Sequence, residues 1–202
     1  MVERTSEQPL RLVVAEDESI IRMDLVEMLQ EQGHEVVAAV GDGQAAVDAV
    51  SSMRPDVVLL DVAMPVRDGL SAAEEISREG WAPVVMVTAF SQSETVLRAA
   101  EAGAFGYLVK PFGPADLSPA IAVARARWQQ ARDLAADLAG ATERANARER
   151  VERAKALVQE SAGIGEPEAF AWLRSQAMDR RLTLAEVAAD VCEGRVHPPL
   201  QG

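Results

Sequence analysis

Five side chains in this sequence could act together on a phosphoryl group. Glu16 and Asp17 follow the apolar run Leu12-Val13-Val14-Ala15, and Asp61 follows Val57-Val58-Leu59-Leu60. Thr88 follows Val84-Val85-Met86-Val87, and Lys110 follows Tyr107-Leu108-Val109. Carboxylates brought together repel one another, but a hard divalent cation such as Mg2+ is satisfied by one or two of them with water and phosphate oxygens. Within such a set Asp61 can act as a nucleophile toward phosphorus. Thr88 and Lys110 can supply a hydrogen bond and a positive charge to phosphoryl oxygens. Any one of these acids alone could be an ordinary strand-terminating residue. The weight lies in all five groups falling just after apolar runs.

The elements that must position them are legible in the same runs. With Val36-Val37-Ala38-Ala39-Val40 they make five, continuous rather than alternating, as parallel strands covered on both faces require. Helical spacing occupies Ile20, Ile21, Leu25, Met28 and Leu29, then 44–52, 69–79 and 93–102, with glycines such as Gly33, Gly80 and Gly103 at the joins. Five βα repeats predict an α/β fold: a doubly wound five-stranded parallel sheet, flavodoxin-like, in the order 2-1-3-4-5. Its ligand crevice is expected at the carboxyl ends of the strands.

From about residue 114 the strands stop. Residues 118–160 form one long helical stretch rich in alanine, arginine and glutamate, followed after Gly163 and Gly165 by helices over 166–179 and 184–193. Pro167 suits a first helical turn, and Thr183 with Glu186 fits a capping box. Ile121, Trp128, Ala131, Leu134, Leu138, Ala141 and Ala145 make an imperfect heptad stripe. That stripe serves either packing within the chain or a homodimer through 118–145, and Gly140 allows a bend. The expected organisation is a phosphoacceptor domain at 8–125, a helical linker at 118–145 and an all-α three-helix domain at 143–197.

Charge follows the same division. The 202 residues carry a net charge of −12. Residues 1–124 hold 20 acids against 8 bases, whereas 143–202 hold 10 against 9. The acidic average therefore does not exclude a polyanionic partner for the C-terminal part. The only lysines are Lys110 and Lys155, beside 18 arginines. The lone Cys192 permits no intramolecular disulfide. With no signal-peptide core and no run of about 20 apolar residues, a soluble cytoplasmic protein away from the membrane is expected.

The first part resembles the receiver domain of two-component response regulators. The matching motifs are Val13-Val14-Ala15-Glu16-Asp17-Glu18, Leu60-Asp61-Val62-Ala63-Met64-Pro65 with Asp68-Gly69, Val87-Thr88-Ala89, and Gly103-Ala104-Phe105-Gly106-Tyr107-Leu108-Val109-Lys110-Pro111-Phe112. The resemblance implies phosphorylation of Asp61 by a sensor histidine kinase. It implies Mg2+ held by Glu16, Asp17, Asp61 and the backbone carbonyl of Ala63, and contact of Lys110 with the acyl phosphate beside a cis bond to Pro111. It also implies a switch pair of Thr88 and Tyr107. Glu16 stands where many receivers have a second Asp. Haloacid-dehalogenase-type phosphatases combine similar residues but need an Asp two positions after the nucleophile; here that position is Ala63, so a turnover enzyme is not expected.

The C-terminal part resembles an ANTAR domain, a small RNA-binding module of transcription antitermination. The carrying residues are Arg150-Val151-Glu152-Arg153-Ala154-Lys155-Ala156-Leu157, Glu168-Ala169-Phe170-Ala171-Trp172-Leu173-Arg174-Ser175-Gln176-Ala177 and Leu184-Ala185-Glu186-Val187-Ala188. The resemblance implies binding to RNA, such as stem-loops in leader transcripts. Arg150, Lys155 and Arg174 are the expected RNA contacts. Trp172 is the better candidate for a stacking ring, with partial burial the equal alternative, and Phe170 is the expected core aromatic. The alternative outputs are a DNA-binding or a protein-binding helical module. The segment Thr183-Leu184-Ala185-Glu186, acidic and without a base before Arg195, suits a major-groove reader poorly.

Overall fold

In the computed structural model, which describes residues 8–89 and 102–197, the five apolar runs form one parallel sheet. Its strands are β1 Arg11–Ala15, β2 Glu35–Val40, β3 Val57–Asp61, β4 Val84–Thr88 and β5 Gly106–Val109. The order is β2-β1-β3-β4-β5, as the repeat pattern predicts. Every residue of β3 and β4 is buried, which is why these runs do not alternate with polar residues.

Successive strand residues point to opposite faces, and each face meets its own helices. Val58, Leu60 and Met86 pack with Val50 of α2 (Gly43–Met53) and with Ala73 and Ile76 of α3 (Gly69–Arg78). Leu59 and Val87 pack with Leu25 and Leu29 of α1 (Ser19–Glu31) and with Leu117 and Ile121 early in α4 (Pro114–Ala162). Each fully buried aliphatic side chain contributes about 1.5–3 kcal/mol. These two layers fix the sheet and leave the strand ends as its polar edge. Asp42 and Asp68 start α2 and α3, accepting from Ala45 N at 2.8 Å and Ser71 N at 2.9 Å. They thereby satisfy donors that a first helical turn leaves unpaired. Gly69 admits no side chain, because a Cβ there would lie 1.8 Å from the Asp61 carbonyl oxygen. The start of α3 is thus packed directly on the end of β3. The helix expected over 93–102 lies, up to residue 101, outside the described residues.

The chain divides into two compact units, residues 1–132 and 133–202, with the boundary inside α4. The helix continues through Gly140, where a bend was allowed. A single glycine costs only about 1 kcal/mol against alanine, and Ala139 and Ala141 flank it. The heptad stripe is divided: Ile121 is in the core, whereas Leu134 and Leu138 are each 60% exposed.

In the second unit the end of α4 packs with α5 (Glu166–Arg180) and α6 (Leu184–Cys192) around Ala154, Val158, Ala169, Leu173, Val187 and Val191. Fully buried alanines at 154 and 169 let the helices approach closely. Pro167 lies in the first turn of α5. At α6 the Thr183 hydroxyl accepts from Glu186 N at 3.2 Å, while Glu186 Oε2 accepts from Thr183 N at 2.7 Å. Among the described residues, no helix is long and apolar enough to cross a membrane.

Candidate functional site

The carboxyl edge of the sheet gathers the residues that the sequence singles out. Glu16 and Asp17 follow β1, Asp61 and Thr88 are the last residues of β3 and β4, and Lys110 follows β5. Backbone bonds hold these ends in register. Glu16 N donates to Val40 O at 3.1 Å, Val62 N to Val87 O at 3.1 Å, and Lys110 N to Thr88 O at 2.8 Å. The Lys110–Pro111 bond is cis. Glu16, Asp61 and Thr88 are all buried, whereas Tyr107 on β5 is half exposed.

Carboxylate oxygens of Glu16, Asp17 and Asp61 lie within 4.8 Å of one another. The Lys110 ammonium is 2.6 Å from Glu16 Oε2 and 2.7 Å from Asp61 Oδ1, so one cation serves two carboxylates. Asp61 Oδ2 accepts from the Ala63 N–H at 2.9 Å. Burial raises the Glu16 pKa; Lys110 opposes that rise and the Asp61 charge adds to it. Burial alone would lower Lys110, but its bonds to Asp61 and Glu16 outweigh that and raise it. Both shifts favour the bound proton: they keep the Lys110 ammonium charged and work against the Glu16 carboxylate, while the ammonium lies in short contact with an oxygen of each acid.

This donor set fits Mg2+. Glu16 Oε2 is buried and meets only the Lys110 ammonium, at 2.6 Å, among the described residues. With Asp17 and Asp61 it gives three clustered carboxylates and one balancing ammonium, and clustered carboxylate oxygens are the hard ligands this ion takes.

One contributor escaped the sequence reading. Arg22 of α1 donates through Nη1 to the Glu16 carbonyl oxygen and, at 3.4 Å, to that of Asp17. A Cβ at Gly41 would come within 3.2 Å of the same nitrogen. The guanidinium thus pins the backbone of the acid pair from a position that in sequence resembles ordinary helix-surface charge.

In the second unit the expected contact residues are scattered. Lys155 is 8% exposed, and its Nζ lies 2.8 Å from Glu152 Oε2 and 2.6 Å from Glu166 Oε1. It ties α4 to the start of α5 instead of facing solvent. Arg150, half-buried, pairs with Glu143 at 2.7 Å. Arg174 is exposed and has no ion pair among the described residues. The expectation for the aromatics is reversed: Trp172 packs on the core and Phe170 is 38% exposed. Both rings flank the buried stripe of Ala169, Leu173 and Ala177, and at about 100° per residue the wheel brings Phe170 closer to it. The positions of the neighbouring helices decide which flank is covered.

Two family models match the chain: the response regulator receiver domain over residues 12–122 and the ANTAR domain over 139–191. The chain belongs to the response regulators. This response regulator is 50% identical over 185 residues to the transcriptional regulatory protein PdtaR of Mycobacterium tuberculosis, covering 92% of this chain and 90% of that protein. The DNA-binding response regulator MtrA of Mycolicibacterium smegmatis is 36% identical over 127 residues, covering 63% of this chain and 54% of MtrA. That length is close to the receiver unit alone. Among solved structures, a LuxR-family two-component response regulator from Aurantimonas is similar with a TM-score of 0.56 and 30% identity, covering 59% of this chain and 86% of that one. The receiver domain of NarL from Mycobacterium tuberculosis gives 0.53 and 29%, covering 62% and 98%. The output of this response regulator is thus an ANTAR domain, and the combination marks a transcriptional regulatory protein of the PdtaR type.

Proposed function

We propose that Asp61 accepts a phosphoryl group from a sensor histidine kinase and that this modification controls RNA binding by the ANTAR domain, and so antitermination. The carrying observation is a buried Asp61 carboxylate bonded to Lys110 in one crevice with Glu16, Asp17 and Thr88. In the transfer, an Asp61 oxygen forms a bond to phosphorus as the P–N bond of the donor phosphohistidine breaks. The histidine nitrogen leaves with the electron pair and takes a proton from solvent. Lys110 and Thr88 donate to the phosphoryl oxygens as charge gathers on them. Glu16, Asp17, Asp61 and the Ala63 carbonyl would hold Mg2+, which supplies charge neutralisation for those oxygens. Thr88 and Tyr107 form the switch, the hydroxyl drawn to phosphate and the ring turning inward.

The working organisation is a receiver at 8–125, a linker at 118–145 and an ANTAR domain at 143–197, in the cytoplasm. Exposed Leu134 and Leu138 support pairing of two copies through the linker. The test of the whole reading is acetyl phosphate labelling with Mg2+, followed by titration with RNA hairpins and duplex DNA at several salt concentrations. Label on Asp61→Asn, or equal affinity for RNA and duplex DNA, overturns it.

A further inference from the structure

Resting on the reading of the second unit as an RNA binder, the geometry points to the exposed flank of α5 beside its buried stripe as the recognition surface. On it the Phe170 ring stacks a base of single-stranded loop RNA, and Arg174 engages the adjoining phosphate. Residues three and four apart share one face of a helix. Along α5 this places Pro167, Phe170, Ala171, Arg174 and Met178 in one stripe, with Arg181 just past its end. All six are exposed, Met178 to 75% and Phe170 to 38%. The stripe contains no acid, and neither Arg174 nor Arg181 makes an ion pair among the described residues.

The competing basic face on α4 differs in each respect. Glu143, Glu149 and Glu152 interleave its arginines, Arg150 is paired with Glu143, and Lys155 is buried between Glu152 and Glu166. A cation already bonded to carboxylates must give up those bonds to meet phosphate. Arg174 gives up only water. An aromatic ring one turn from an unpaired guanidinium is what unstacked bases use, one group offering a π-face and the other a charge to the backbone. An acid-free stripe with two arginines is complementary to a polyanion, because contact depends on local charge, and over 143–202 acids and bases nearly balance, 10 against 9. Trp172, packed on the core, leaves Phe170 as the exposed ring of α5.

The test uses the full chain, before and after acetyl phosphate, with fluorescein-labelled RNA hairpins carrying randomised loops, read by anisotropy at several KCl concentrations. Phe170→Leu keeps the apolar bulk and loses the π-face; it should weaken binding by about tenfold without changing the salt slope. Phe170→Tyr should bind as the wild type does. Arg174→Ala should weaken binding and lower the slope of log affinity against log salt by about one. Arg195→Ala should bind within about twofold of wild type, since Arg195 is already paired with Asp190 in the free protein. Both target side chains are exposed, so unchanged thermal midpoints are expected to accompany these losses. If the wild type binds hairpins and both Phe170→Leu and Arg174→Ala bind equally well, this face is overturned while RNA binding stands. If the wild type binds no hairpin in either state, the RNA reading fails and takes the face with it. Loss of a co-purifying protein from the two variants with hairpin affinity intact would make the stripe a protein contact and overturn the proposal.

Discussion

The two lysines of this chain have nearly the same neighbours and sit in different physics. Lys110 is 2.6 and 2.7 Å from two carboxylates, and Lys155 is 2.8 and 2.6 Å from two others. The side chains of Glu16 and Asp61 are 1% and 6% exposed, whereas those of Glu152 and Glu166 are 64% and 65% exposed. Remove Lys110 and two buried carboxylates face each other without a counter-charge. Remove Lys155 and its partners turn to water. Equal contact distances therefore do not mean equal energies, because the cost lies in what the partners can do when left alone.

The largest expected effect is at the nucleophile. Asp61→Asn should reduce acetyl phosphate labelling to background, read on a phosphate-affinity gel, with the fold intact by circular dichroism. Lys110→Met comes next. It should destabilise the receiver unit by roughly 3 kcal/mol, a size typical for breaking one side of a buried pair, measured by urea unfolding. Labelling should fall as well. A Lys110→Met protein as stable as wild type would break the comparison. Third, Asp17→Asn should weaken Mg2+ binding by about tenfold or more by calorimetry, since it removes one of few anionic oxygens. Ion binding unchanged in that variant would remove Asp17 from the ligand set.

Lys155→Met should produce a shift in thermal midpoint much smaller than that of Lys110→Met, and an equal shift would show that exposure of the partners does not matter. Acidification should sharpen the same point. The Lys155 bond lowers the Glu166 pKa below its ordinary 4.5. Stability from that bond is present above 4.5 and lost as pH falls through the folded value. Glu186, lowered by its bonds to Thr183, behaves likewise at the start of α6. Helix content of the second unit should therefore decline gently below that pH, monitored by circular dichroism, while on the alkaline side the raised pKa of Lys155 keeps its pairs above pH 10.5.

Much of the receiver was legible because its signals are local. Continuous β-branched runs can be satisfied only where both faces are covered, and the residue that follows each run must then lie on one edge of the sheet. Thr183 could be read as a cap because a short polar side chain reaches the N–H three residues on, whereas the same role of Asp42 and Asp68 emerged only in the structure. The second unit was less legible. Its helices are alanine-rich, so the wheel identifies a buried stripe but not which flank of it a neighbour covers, and Phe170 and Trp172 were interchanged for that reason. Lys155 was taken for a surface cation because the acid that draws it inward from α5, Glu166, is eleven residues away. Arg22 carried no distinguishing signal at all: its partners are backbone carbonyls, which every residue has.

The sequence alone determined the sheet, its order, the set of groups at its carboxyl edge and the presence of a helical second unit. These depend on periodicity and on residue type, which are properties of short stretches. Only the tertiary structure decided that one ammonium bridges Glu16 and Asp61, that Arg22 braces the acid pair, and that Lys155 is used up between two helices while Arg174 makes no ion pair among the described residues. Those outcomes turn on burial and on which groups meet across elements. Both fix the strength of a charge, and neither is encoded in spacing along the chain.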